Sequence, residues 1–148
     1  MKGLDVTLAV ADALLAAEYV RALNVSNGKV GTVGYCLGGK LAYLLSMEPG
    51  IETAVSYYGV AIQASLDRMD EVRAPLLLHV AEEDHLCPPE AQNAIADASA
   101  RHPQIALIRY PGAGHAFARD KSPAYDAPSA ERANAATHAW LTDNLLGG

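Results

Sequence analysis

The sequence predicts an α/β fold in which a mostly parallel sheet carries helices on both faces, as a three-layer sandwich. Three observations lead there. Short runs rich in Val, Ile, Leu and Tyr alternate with segments of helical period along the whole chain. One of those runs is continuously apolar, as in a strand covered on both faces. A glycine-rich turn joins a strand directly to a helix.

The elements follow in order. Residues 5–23 form an amphipathic helix, with Val6, Val10, Ala13, Leu14, Ala17 and Val20 at helical spacing, Asp5 as candidate cap and 24–28 as the stop. Residues 29–35 make a short strand, and 37–47 a helix apolar nearly all round, which implies burial. A second strand covers 52–58 and closes at Gly59, and 61–73 is polar and irregular. Pro75 opens the third strand, Leu76 to Ala81, and Pro88 and Pro89 start a helix to about Ala100. Residues 105–110 form a fourth strand that Pro111-Gly112-Ala113-Gly114 ends. The last helix runs from 129 to 146 with Ser129 as its cap.

Length and charge limit the functions to consider. The 148 residues suit one domain, 1–148, with no repeat or linker. A formal charge of −6, without a basic cluster, argues against nucleic acid or an anionic membrane as partner. Two cysteines are too few for a disulfide framework and read as free thiols of a cytoplasmic protein. Lys2 and the stretch 8–17 could mimic a signal peptide, but Asp5 and Asp12 interrupt the apolar part. No apolar run approaches the roughly 20 residues of a membrane span.

Gly34-Tyr35-Cys36-Leu37-Gly38-Gly39 lies where a strand ends and a buried helix begins. It is the nucleophile-elbow pattern of α/β hydrolases with cysteine in place of serine. Glycines flank the nucleophile because strand and helix pass so close that a Cβ would collide. The turn pushes the sulfur out at the carboxyl end of the sheet, and the Leu37 amide at the helix start faces any oxyanion formed on an attacked carbonyl. The helix dipole favours a thiolate there.

A thiol nucleophile needs a base, and the base an orienting carboxylate. The fold places both on loops after later strands, in the order nucleophile, acid, histidine. After the third strand comes Glu82-Glu83-Asp84-His85, where Asp84 is preferred over the two glutamates. After the fourth comes Gly112-Ala113-Gly114-His115, and His115 alone among the histidines sits in a glycine-rich loop. His79 reads as a hydrogen-bonded core residue, and His102 and His138 as surface residues. Asp84, His85 and Cys87 match no common zinc spacing, so no metal and no cofactor are expected. A flavodoxin-like binding domain would share the alternation but has no use for this ordered set.

With these residues in place, the chain resembles the dienelactone hydrolases, the carboxymethylenebutenolidases, over essentially its whole length. The resemblance rests on the elbow, on Tyr57-Tyr58-Gly59-Val60, on Asp84-His85 with Pro88 following, and on Gly114-His115-Ala116-Phe117-Ala118-Arg119. It implies a Cys36–His115–Asp84 triad that opens small carboxylic esters or lactones through a thioester acyl-enzyme. It also implies that Arg119 binds a substrate carboxylate and that Tyr57 lines the pocket. The family has a serine where this chain has Ala116.

The family also carries several N-terminal strands before the helix that opens this chain. Those strands supply a second oxyanion-hole amide, an acidic residue near the resting thiol and a further arginine. Without them, strand 29–35 becomes a sheet edge, and either a homodimer covers that edge or the chain is a fragment of a longer gene product. The competing expectation is a catalytically weak or inactive core acting as a binding or assembly module.

Overall fold

The structure is a computed structural model that describes residues 5–147, so Lys2 lies outside the described residues. Four strands, β1 (Gly31–Tyr35), β2 (Thr53–Tyr57), β3 (Leu76–Glu83) and β4 (Ile105–Gly114), form one sheet in the order β1-β2-β3-β4. Every adjacent pair is parallel. Helices α1 (Val6–Arg21), α2 (Leu37–Leu45), α3 (Pro89–Ser99) and α4 (Ala127–Leu145) complete the fold, with a 3₁₀ segment at Ile62–Glu71.

The sheet divides two cores. On one face Tyr43, Leu44 and Met47 of the α2 region and Ile95 and Ala98 of α3 pack on Ala54, Leu76 and Leu78. α1 joins this side through Val10, Ala13, Leu14 and Ala17, against Val30, Leu45, Ile51 and Ala74. Asp5 caps α1 by accepting from the amides of Thr7 and Leu8, as its side-chain chemistry predicts. Arg21 then ties the end of α1 to Glu52, with a nitrogen–oxygen distance of 2.9 Å. On the other face α4 lays Ala130, Ala133 and Trp140 over Val55, Tyr57, Leu77 and Tyr110. The three-layer α/β sandwich is therefore the architecture, and β1 is a sheet edge.

Three local expectations need correction. β4 does not stop at Tyr110 but continues through Pro111 and Gly112 to Gly114, which pairs with Glu83 beyond an irregularity at Ala81/Glu83. β4 is the other edge of the sheet, so the missing amide of Pro111 need break no ladder there. α4 begins two residues earlier than expected, capped by Asp126, whose carboxylate accepts from the Ser129 amide. His102 is half-buried rather than on the surface, 3.3 Å from Asp70.

A buried polar chain links the sheet to α4. Tyr57 hydroxyl donates to Asn134 Oδ1 (3.0 Å), so at its 2.7 Å contact with Thr137 it must accept. Thr137 Oγ1 in turn accepts from His79 Nε2 (2.9 Å), and His79 Nδ1 accepts from the Tyr110 hydroxyl (2.9 Å). One proton order, with a neutral imidazole protonated on Nε2, satisfies every member. Burial and the nearby Arg132 charge push the His79 pKa down to about 4. His79 is thus the hydrogen-bonded core residue that its place inside a strand suggested.

Candidate active site

The elbow forms at the end of β1. The Cys36 amide donates to the Tyr57 carbonyl, completing the ladder, and the chain then turns into α2 with Cys36 at φ 57° and ψ −116°. That positive φ is costly for a residue with a Cβ and aims the thiol off the strand end. The approach of helix to sheet is as close as the glycines imply, but only one of the motif's two flanking positions, Gly34, needs glycine. A Cβ on Gly34 would overlap the Gly38 carbonyl, and one on Gly39 would lie 2.8 Å from Gly59 Cα and the Tyr57 carbonyl oxygen. A Cβ on Gly38 would meet nothing within 4 Å. Gly34 and Gly39, not Gly38, set the packing distance.

Asp84 and His115 are brought together by the β3–β4 ladder. Asp84 is buried just past β3, where its Oδ1 accepts from the Leu86 amide at 2.8 Å. Its Oδ2 lies 2.8 Å from His115 Nδ1. A carboxylate accepts only, so the imidazole carries its proton on Nδ1 and presents Nε2 as a base. Glu83 is exposed and Glu82 half-buried, and the carboxylate that meets His115 is that of Asp84. The His115 ring is held from the side by Tyr58 at 5.1 Å between ring centres, and His85 lies 5.9 Å away.

Cys36 and His115 face one cleft of about 380 Å³, lined also by Tyr35, Tyr58, Ala116, Ala118 and Arg119. Among the described residues no hydrogen bond joins the sulfur to the imidazole; the two share a wall. Leu37 holds the first position of α2, where a helix amide has no partner within its own helix. Arg119 lines the cleft and is exposed, four residues after His115, on a turn begun by Ala116 at φ 66°.

Tyr57 does not line this cleft. It is fully buried on the α4 side, in the hydrogen-bonded chain with Thr137 and Asn134, so its role is packing between sheet and helix. Tyr58 and Tyr35 line the cleft instead. The backbone of Tyr58 has φ 38°, which breaks the strand alternation and turns the ring to the site. Tyr35 was legible as the residue just before the nucleophile, but nothing in the sequence marks the turn at Tyr58.

The second cysteine differs from the first. Cys87 is buried, and desolvation together with the Asp84 charge raises its thiol pKa. Among the described residues no group of three or more His, Cys, Asp or Glu side chains could hold a metal ion, and no helix is long and apolar enough to cross a membrane.

Comparisons with known proteins bear on the family and the fold. The family model for the dienelactone hydrolase family matches residues 2–145. A carboxymethylenebutenolidase of Pseudomonas putida is 39% identical over 133 residues, covering 90% of this chain and 56% of the relative. Carboxymethylenebutenolidase 1 of Cupriavidus pinatubonensis is 35% identical over 136 residues, covering 92% of this chain and 58% of its own. The chain thus spans little more than half the length of these relatives. Among solved structures, a dienelactone hydrolase from Anabaena variabilis superposes with a TM-score of 0.71 at 22% identity. That match covers 95% of this chain and 62% of the other, and it supports the fold.

Proposed function

The chain belongs to the dienelactone hydrolase family, and from that premise we propose that it hydrolyses small carboxylic esters or lactones with Cys36 as nucleophile. The observation that carries the reading is the His115–Asp84 hydrogen bond of 2.8 Å on the same cleft as an elbow cysteine and Arg119. Asp84 holds the imidazole with Nε2 toward the cleft. His115 takes the thiol proton as the Cys36 sulfur attacks the ester carbonyl. The Leu37 amide stabilises the oxyanion, and collapse breaks the acyl C–O bond while His115 returns the proton to the leaving oxygen. The substrate is then a thioester on Cys36. Water, deprotonated by His115, attacks that carbonyl, and the sulfur leaves to be reprotonated. In a lactone the leaving oxygen stays attached, so the product is a single ring-opened hydroxy acid or its keto form.

Arg119 brings a guanidinium to the cleft, placed to pair with a carboxylate on the substrate. The small-molecule partner is therefore an ester or lactone that bears a carboxylate.

Alkylation by iodoacetamide near neutral pH tests the nucleophile. Cys36 is expected to react stoichiometrically and faster than buried Cys87, and His115→Ala to slow it. Ester turnover, for instance of p-nitrophenyl acetate, that survives Cys36→Ala would sink the assignment.

A further inference from the structure

Asp84 stands on a turn that its own strand does not fully fix. The β3–β4 ladder passes over Glu82, at the irregularity between Ala81 and Glu83. Beyond it the Cys87 amide donates to the Asp84 carbonyl at 3.0 Å and the Leu86 amide to Asp84 Oδ1 at 2.8 Å. Those bonds shape the turn without tying it to a neighbouring element. Packing leaves room as well, because a cavity of about 10 Å³ lies beside the turn, lined by Ser56, Ile62, Cys87 and Asp84 itself.

The tie comes from α3. Gln92, in the first turn of that helix, is a polar side chain only 2% exposed. Its Nε2 donates to the Glu82 carbonyl at 3.0 Å and to the Cys87 carbonyl at 2.8 Å. Those two residues stand on either side of Asp84, so both protons of one primary amide are spent across the mouth of one turn. Both acceptors are carbonyl oxygens, which fixes the amide with its nitrogen inward. The start of α3 is in turn joined to β4, where Arg109 Nη2 donates to Asn93 Oδ1 at 3.0 Å. β4 is the strand that leads to His115.

We infer that Gln92 is a positioning residue, which closes the 82–87 turn and so aims the Asp84 carboxylate at His115 Nδ1. The inference rests on the reading of Asp84 as the acid that orients His115. The ladder sets how far apart the two residues stand, and the clamp sets where the carboxylate points. Gln92 does not line the Cys36 cleft, so it acts through Asp84 alone. Without its amide two carbonyls lack a donor, and the turn must open toward water to satisfy them.

Gln92→Met removes both donors at a similar side-chain length. It should lower kcat for p-nitrophenyl acetate about 10–100-fold and change KM less than about twofold, the scale of a displacement near 1 Å. In an Asp84→Asn background the same substitution should lower the residual rate less than about threefold, because the contact it guards is already gone. Proton NMR gives a readout free of turnover. The far-downfield proton of His115 Nδ1, identified by its loss in Asp84→Asn, should be lost or broadened in Gln92→Met. Equal fold losses in the two backgrounds, or a downfield signal unchanged in folded Gln92→Met, would overturn the inference. A parent chain without ester turnover would count against the proposed function, and the downfield signal would still decide the clamp. Should Gln92→Met fail to fold, Gln92→Glu replaces it, since a protonated carboxyl keeps one of the two donors. In the parent chain the side-chain amide protons of Gln92 should exchange with water far more slowly than those of exposed Asn24. Equal exchange at the two would overturn the clamp without any variant.

Discussion

Protonation of His79 should make the fold acid-sensitive over a window that one substitution removes. The ring bridges Tyr110 and Thr137 as a neutral imidazole, only 1% exposed, with its pKa pushed down to about 4 by burial and then by Arg132. In the unfolded chain the same group titrates near 6.5. The unfolded state therefore binds more protons between those values, and stability must fall as pH drops from 6.5 toward 4. The full separation corresponds to about 3 kcal/mol, of which about 2–3 kcal/mol is lost between pH 7.5 and 4.5. That is a large share of an ordinary domain's total stability. Urea unfolding followed by circular dichroism at several pH values, compared with His79→Gln, isolates this contribution. Whatever its absolute stability, the variant's decline across this window should be smaller by about 2–3 kcal/mol. Glu52 does not interfere. Burial opposes its ionisation, but the Arg21 bond and the Val30 amide prevail and hold its pKa below 4.5, so its loss falls at lower pH. Parallel curves for the two proteins between pH 6.5 and 4.5 would refute the neutral, buried assignment of His79.

The glycine geometry, the acid and the arginine give three further tests. Gly39→Ala should cost about 1–3 kcal/mol in urea unfolding because its Cβ meets Gly59 and Tyr57, while Gly38→Ala should be neutral or stabilise by about 0.5–1 kcal/mol. Equal losses at both sites would contradict the packing described. Asp84→Asn should lower kcat about 10³–10⁴-fold by releasing the Nδ1 proton from its acceptor, with the fold intact by circular dichroism. A loss below tenfold would remove Asp84 from the site. Arg119→Gln should raise KM about tenfold for lactones bearing a carboxylate and leave p-nitrophenyl acetate turnover unchanged. A uniform effect on both substrates would show that Arg119 does not read the carboxylate.

Much of this architecture was legible in the residues because it depends on order and periodicity. The strand-to-helix glycine turn located Cys36, and the positions after the third and fourth strands located Asp84 and His115. What escaped depends on backbone angles that no side chain announces. Strand alternation assigns adjacent tyrosines to opposite faces, but it does not say which reaches the site; the turn of Tyr58 to φ 38° does. Gly38 belongs to the motif by spacing, yet the close approach falls at Gly34 and Gly39, a fact of helix direction rather than composition. Pro111 and Gly112 read as a strand stop because both disfavour central strands. At a sheet edge they do not end pairing, and β4 runs on to Gly114. Ser129 has the chemistry of a cap, but Asp126 supplies the capping carboxylate and Ser129, three residues on, supplies the amide instead.

That continuation of β4 has a consequence for how such a site can change over time. Asp84 and His115 each follow directly on a pair of laddered residues, Glu83 and Gly114. Their separation is fixed by the spacing of neighbouring strands, not by the length of any loop. The 3₁₀ segment, α3 past Gln92 and the turns after Phe117 can then gain or lose residues without moving Asp84 away from His115. The lining of the cleft and the Asp84–His115 contact are in this way separately variable, the first written in the cleft wall and the second in the hydrogen-bond register of two strands.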